Sequence, residues 1–537
     1  MKTKGMRLLG LVLSIVMMAT MTTFAVAEGT PQRGGTLVIA YASEPDTMNV
    51  YSTHMLADVQ TCIVQGLIIP DGNMNYVPVL CKEVPTLENG LIELSEDGAT
   101  MTITYNLKEG VKWHDGEPFT SADVKFTWEA VSNPDFIAEG KEGCDDIDRI
   151  ETPDDYTVVC YYNKPVADFA STLFTFGILP KHMLEGEDMN LQTGYNREGV
   201  IGTGPYKMVQ WVEGEYIELA RNEDYYEDGA WLDGIIFKFV PDYNTQLTQL
   251  KTGEVQFAMG LPSDMYADVQ AVDGVVADAT VRNAWCHIDF NFRNDILGQD
   301  LAVRQAINYC VDKEGIVNNL LGGLPVVADS SWMYFDQFHN PNLPAHEYSL
   351  EKAAQVLEDA GWTLNASGVR EKDGATLEFE WLGRTTNADE IKIQQVVADA
   401  CKEIGIVLTI NNMAQSAMND LRMSGDYDMK IGGWITGTPS RTRFYGNQAF
   451  APDSVNDIFY DNQELSDLLA ESDTVLDVEL RKEMLYRAQE MMIEDMVTIP
   501  THTLVQIVAH TENLKGFVPN PTNMTHFWAV ADWYLEQ

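Results

Sequence analysis

Positive charge is what this sequence has least of. Its 537 residues hold 35 Lys and Arg against 81 Asp and Glu, a formal net charge of −46. Phosphate backbones are bound by clustered cations, so such a surface repels nucleic acid and anionic lipid. Cysteine is also scarce: the seven residues at 62, 81, 144, 160, 286, 310 and 401 contain no Cys-x-x-Cys, and several interrupt apolar patterns, as in TVVCYY and AINYCVD. That usage reads as small buried residues. One disulfide stays open in an oxidising compartment, but the sequence does not choose its partners.

Apolar runs near membrane-spanning length are confined to the start. In MKTKGMRLLGLVLSIVMMATMTTFAVAEGT, Lys2, Lys4 and Arg7 precede an apolar stretch over 8–19, and Ala25-Val26-Ala27 offers small residues for cleavage. The expectation is a signal peptide over 1–27, because the stretch is short of the roughly 20 residues a spanning helix needs. No Cys stands near the cleavage point for acylation, so the expected location is periplasmic or extracellular.

Catalytic signatures are missing as well. The nine His form no HxxxH or HExxH, and there is no GxSxG elbow, no GxxxxGK phosphate loop and no GxGxxG. Metal ligation, nucleophilic hydrolysis and phosphate cradling each need side chains at such spacings. No catalytic residue, metal ligand or cofactor is therefore assigned. Paired carboxylates are everywhere in so acidic a chain and single out no glycosidase pair.

What is present is a mixed α/β pattern. GGTLVIAYASEP predicts a buried strand closed by Ser43-Glu44-Pro45, and 71–194 carries repeated hairpin signals that suggest a separable β-rich unit. Further on, WCHIDFNF, LAVRQAINYCVDKEGIVNNLL, SLEKAAQVLEDAGW, ATLEFEWLG, IVLTINNM and YDMKIGGW alternate strand and helix. A last long helix is expected over 476–494, followed by the strand IPTHTLVQIVAH.

The stretch GVKWHDGEPFTSADVKF (110–126) sets His and Asp side by side, as a metal or acid/base site would. Its residues nevertheless read as local structure. Asp115-Gly116 makes a tight turn, Thr120 and Asp123 make a capping box, and Phe119 with Val124 makes a hydrophobic staple. A lone His-x-Asp is a weak ligand pattern, so His114 is expected to be structural. Tyr41, Trp285, Trp332, Trp381 and Trp434 lie at predicted strand ends or loops, where as a set they favour a binding groove.

The motifs GGTLVIAYASEPDTMN, YNLKEGVKWHDGEPFTSADVKFTWE, GTGPYKMVQW, LKTGEVQFA, FNFRN with LAVRQAINYCVDKEGIV, AAQVLEDAGW and ENLKGF occur in one order along nearly the whole chain. In that order they resemble the family 5 solute-binding proteins of ABC transporters, the peptide- and nickel-binding group. The resemblance implies an α/β, two-lobe periplasmic-binding-protein-like fold (class II, cluster C) with a hinge and an extra β-rich subdomain. It divides the chain into lobe I (28–70, 195–285 and 505–537), a β-rich insert (71–194) and lobe II (286–504).

The implied function is capture of a peptide in the interlobe cleft by a monomeric, non-enzymatic protein and delivery to an ABC permease. The alternatives are an oligosaccharide or nickel-complex receptor, or a secreted hydrolase. The implied ligand-binding residues are Tyr41, Ser43, Glu44, Asn291, Trp332, Arg384, Trp434, Thr436, Gly437 and Arg441. One departure stands out. Peptide binders of the family place an Asp shortly after Gly-Trp to grip the ligand's ammonium, and IGGWITGTPSRTRF has Thr436, Gly437 and Thr438 there. Arg384, Arg441 and Arg443 are instead candidates for a ligand carboxylate, or for pairing with nearby acids such as Asp389 or Asp453.

Overall fold

A computed structural model describes residues 31–53, 58–139, 141, 143–171, 173–522 and 525–536. The expected signal peptide lies outside these residues. Among them, no helix is long and apolar enough to cross a membrane.

A single ten-stranded sheet runs through the molecule. Its order is Val407–Met413, Glu378–Arg384, Met429–Ile435, Val275–Phe290, Thr498–Thr511, Phe257–Leu261, Thr36–Tyr41, Gly234–Phe239, Tyr216–Arg221 and Tyr206–Val212. The two long central strands are antiparallel and belong to both halves. Their pairing runs from Val275↔Thr511 to Val281↔Val505, shifts register, and resumes at Trp285↔Thr503. Burial changes at the same place: residues 275–282 are half-buried and 283–290 are buried. A bulge bends and twists a strand, so the sheet changes course at this break.

Each lobe has its own core. Cys286, Ile288, Phe290, Trp362, Phe379, Trp381 and Val397 belong to one cluster in lobe II, with a second around Trp332, Leu465, Leu469 and Leu485. The four-stranded sheet Ile92–Leu94, Met101–Asn106, Thr157–Tyr162 and Ile147–Asp154 is separate from the large one. Its apolar face, however, joins Leu37, Phe237 and Trp533 of lobe I in one continuous core.

The local signals produced the elements they indicate. Helix Ser121–Val131 begins at Thr120 with both halves of the capping box in place, and Phe119 and Val124 are fully buried. Asp123 accepts the Thr120 amide at 2.9 Å and, through its other oxygen, the Lys181 amide at 3.0 Å. Ser349 Oγ caps Leu350–Asp359 by accepting the Lys352 amide at 3.2 Å, and Asp477 caps Val478–Glu494. The expected helix LAVRQAINYCVDKEGIVNNLL is broken. It ends at Tyr309, and Asp312 accepts the Gly315 amide at 2.8 Å, starting a new turn.

His114 is structural. Its Nε2 donates to the Gly204 carbonyl at 2.9 Å and its Nδ1 accepts the Gly202 amide at 3.3 Å. The glycines of GTGPY are there for close approach: a Cβ on Gly202 would sit 1.8 Å from the Ile63 carbonyl oxygen.

Candidate functional site

Two adjoining cavities, of about 570 Å³ and 420 Å³, lie between the β-rich insert and lobe II. Both are lined by Pro70, Tyr76, Asp168 and Ser171 from one side and by Gly437 and Thr438 from the other, so they form one groove. Volumes of this order enclose a small ligand. Phe176 and Phe444 add apolar surface, and Ile435 is 44% exposed.

The segment after the strand Met429–Ile435 makes the lobe II wall. Thr436 donates its amide to the Asn283 carbonyl at 3.1 Å, and Asn283 Nδ2 returns a hydrogen bond to the Thr436 carbonyl at 3.1 Å. The hinge break and the groove wall are thereby joined. Thr436 Oγ1 accepts the Thr438 amide at 3.1 Å, closing a turn that presents Gly437.

Contacts cross the groove at one side. Arg481 NH1 and NH2 donate to the two carboxylate oxygens of Asp168 at 2.6 and 2.9 Å, with side chains only 5% and 16% exposed. The Ala167 amide donates to the Asp473 carbonyl at 2.9 Å, and Ser171 Oγ donates to the Gly437 carbonyl at 3.1 Å. Burial raises the Asp473 carboxyl; hydrogen bonds from Thr442 and Ser440 oppose that, while Asp168 adds to it.

Of the residues expected from the sequence, Thr436 and Gly437 line this groove. Trp434 does not: its neighbour Ile435, the last residue of the strand, faces the groove, so Trp434 points to the opposite face. It lines a separate hollow of about 80 Å³, against Phe444 with ring centroids 5.0 Å apart and under the Arg422 guanidinium at 5.4 Å. Arg384 reaches that hollow and another of about 270 Å³, but its Nε donates to Glu390 at 3.0 Å and NH2 donates to the same carboxylate. The partner is thus Glu390; Asp389 pairs with Lys392 at 3.0 Å.

The remaining expectations need correction. Arg441 is fully buried between the Trp285 and Trp332 rings, 4.8 Å from each centroid, and donates to the carbonyls of Ser331, Thr438 and Ser440. It holds the groove loop from behind and has no surface for a ligand. Trp332 is equally buried, its Nε1 donating to the Pro439 carbonyl at 2.8 Å, and Trp285 and Trp381 are core residues. Asn291 is buried with its amide donating to the carbonyls of Gly425 and Tyr427 at 2.9 and 2.6 Å.

On lobe I, Glu44 accepts from Trp211 Nε1 at 2.6 Å and from the Gly214 amide, tying its loop to a hairpin. The Tyr41 hydroxyl donates to Asp58 at 3.0 Å while its ring packs edge-on against Phe237. Ser43 is exposed and lines none of these cavities. Tyr76, Asp168, Ser171, Asp473 and Arg481 carried no sequence signal, because each belongs to the groove only through contacts between distant segments. Among the described residues, no group of three or more His, Cys, Asp or Glu side chains is placed to hold a metal ion.

Comparison with known proteins agrees with this architecture. Residues 75–455 match the family model described as bacterial extracellular solute-binding proteins, family 5 Middle. The oligopeptide-binding protein AppA of Bacillus subtilis is 27% identical over 524 residues, covering 95% of this chain and 93% of its own length. The AppA structure in complex with a nonapeptide superposes with a TM-score of 0.76 at 26% identity, over 95% of this chain and 100% of AppA. NikZ from Campylobacter jejuni, solved with Ni(L-His), gives 0.78 at 27% identity over 93% and 99% of the two chains. The two lobes joined by shared strands, the groove between them and the family match lead to one conclusion: the chain belongs to the family 5 bacterial extracellular solute-binding proteins.

Proposed function

We propose that the protein captures peptides in the groove between insert and lobe II, outside the cytoplasmic membrane, and delivers them as a monomer to the permease of an ABC importer without altering them. The observation that carries this reading is the groove itself, walled by both halves and crossed by the Arg481–Asp168 pair. The oligopeptide-binding relative AppA, similar along nearly its whole length, and its peptide-bound structure support a peptide ligand. The turn at Thr436, Gly437 and Thr438, with Ser171 opposite, supplies backbone and hydroxyl groups to a peptide main chain. Arg384, already held by Glu390, is left without the carboxylate role. The lobe boundaries at 195, 286 and 505 belong to the same reading, supported by the register break before Trp285.

Only a ligand that contacts both lobes stabilises the closed state. Screening defined peptide pools by thermal unfolding is expected to find one that raises stability by about 2.7 kcal/mol at one hundred times its Kd. Mass spectrometry should recover that peptide intact. A shift with oligosaccharides and none with any peptide, or a cleaved peptide, would overturn the reading.

The crossing ion pair gives a second expectation. Its two partners meet only when the lobes are together, so Arg481→Ala removes stabilisation from the closed state in particular. A charged hydrogen-bonded pair contributes about 1.5–3 kcal/mol, which lowers peptide affinity roughly 10–100-fold by titration calorimetry. Asp168→Asn should act similarly, and the double variant should be no worse than the poorer single one. Fully additive losses would show that the two act separately.

A further inference from the structure

The smaller chamber of the groove, of about 420 Å³, has a negative charge left over. Its charged lining residues are Asp168, Arg481 and Asp336. Asp168 and Arg481 neutralise one another through their two hydrogen bonds. Asp336 belongs to no ion pair among the described residues, and Arg441, which favours its charged form, gives its hydrogen bonds to backbone carbonyls. Asp336 Oδ1 accepts the Phe338 amide at 2.9 Å and fixes a turn; Oδ2 accepts nothing among the described residues. Burial raises this carboxyl, against the Phe338 amide and Arg441. Asn283 lines the same chamber and is 3% exposed. Its Nδ2 is taken by the Thr436 carbonyl, while its Oδ1 has no donor. A buried acceptor without a donor and a carboxylate without a cation both cost free energy until something supplies them. The rest of the wall holds apolar surface from Phe335, Phe338, Val475 and Leu476.

We propose that this chamber takes the side chain of a lysine or arginine of the bound peptide, its stem against Phe335, Val475 and Leu476 and its cationic head donating to Asp336 and Asn283. The proposal rests on peptide capture in the groove, and it names the class of peptide as basic. An ammonium or guanidinium group only donates hydrogen bonds, which matches two waiting acceptors. Hydrogen bonds between charged groups are about twice as strong as neutral ones, so a Gln side chain of similar length gains less there. A Glu side chain would meet Asp336 as a like charge and be rejected. The aliphatic stem of Lys or Arg covers apolar wall while its head stays with the polar groups. An α-ammonium has no such stem and would leave that wall unfilled. The formal charge of −46 works in the same direction, since it draws basic peptides towards the protein before they bind.

Alanine-based peptides carrying Lys, Arg, Gln or Glu at each position in turn, each with a free and with an acetylated N-terminus, provide the test by titration calorimetry. The best Lys and Arg peptides are expected to bind roughly 10–100-fold more tightly than their Gln counterparts, with Glu weakest. Acetylation should leave that preference in place. Asp336→Asn keeps an oxygen for the Phe338 amide and should erase the preference for Lys over Gln. If Asp336 served only the turn, the substitution would weaken both peptides alike and keep their ratio, which would overturn the proposal. Equal binding of Lys and Gln peptides by the wild-type protein would overturn it without any variant. A preference that vanishes on acetylation would give the chamber to the α-ammonium and overturn it as well. Peptide binding without a basic preference sinks this proposal alone, whereas no binding by any peptide sinks the capture reading with it.

Discussion

Lys430→Met is expected to destabilise the protein by about 3–5 kcal/mol, because it removes the ammonium that two buried carboxylates share. Lys430 lies on the strand that leads into the groove wall, with its side chain only 3% exposed. Its ammonium donates to Asp289 and lies 3.3 Å from Asp457, carboxylates that are themselves 3% and 2% exposed. Burial would raise the Asp289 carboxyl, but His287 and Lys430 outweigh that and hold it well below the usual range. Thr498 Oγ1 also donates to Asp289 at 2.6 Å, and Arg422 Nε donates to Asp457 at 2.5 Å. The network therefore pins both long hinge strands to the strand Met429–Ile435. Urea unfolding measures the loss, and Asp289→Asn added to Lys430→Met should recover part of it. A cost below about 1 kcal/mol would mean that water or relaxation satisfies the two acids, as it does at exposed pairs.

Acidification is the second large effect, and its sign follows from the histidines. Burial lowers His114 and His502 to about 4 and His526 to about 3, from an ordinary value of 6.5. Asp389 partly opposes burial at His502, and Arg282 reinforces it at His526. Between these values and pH 6.5 the unfolded chain binds more protons than the fold. Stability is thus full above about pH 6.5 and falls as pH drops towards 4, by up to ~1.4 kcal/mol per pH unit for each His. Asp58 works in the opposite direction. Burial raises its carboxyl to about 6, against the hydrogen bond from Tyr41 and the nearby Arg282, so the fold holds a proton there that the unfolded chain loses. Burial lowers His346 to about 4 as well, and Asp123, Asp336, Asp473 and Asp532 are raised by burial as Asp58 is; the histidines against these carboxyls leave a net loss on the order of 3 kcal/mol between pH 6.5 and 5. Urea midpoints at the two pH values measure it, and His502→Asn should flatten the slope. Stability that rises on acidification would show that these rings are charged inside the fold.

By itself the sequence determined the elements and the family. Caps at Thr120, Ser349 and Asp477 and the Asp115-Gly116 turn follow from short-range rules, because a helix end or a turn is satisfied by residues three or four places away. Ordered motifs placed the chain in its family for the same reason: they record local geometry that the fold reuses. The structural role of His114 was legible only as the lack of a ligand pattern around it, since its partners Gly202 and Gly204 come from a distant segment. The groove was legible only at Thr436 and Gly437, which follow a recognisable strand. Arg441 and Arg384 looked like ligand cations because their charge is visible in sequence, whereas the carbonyls of Ser331 and Thr438, the rings of Trp285 and Trp332, and the carboxylate of Glu390 that occupy them are brought there by packing. The pairing of Asp168 with Arg481, 313 residues apart, was decided by the tertiary structure alone. No local rule relates such distant residues; only the burial of the shared cores sets how close they come.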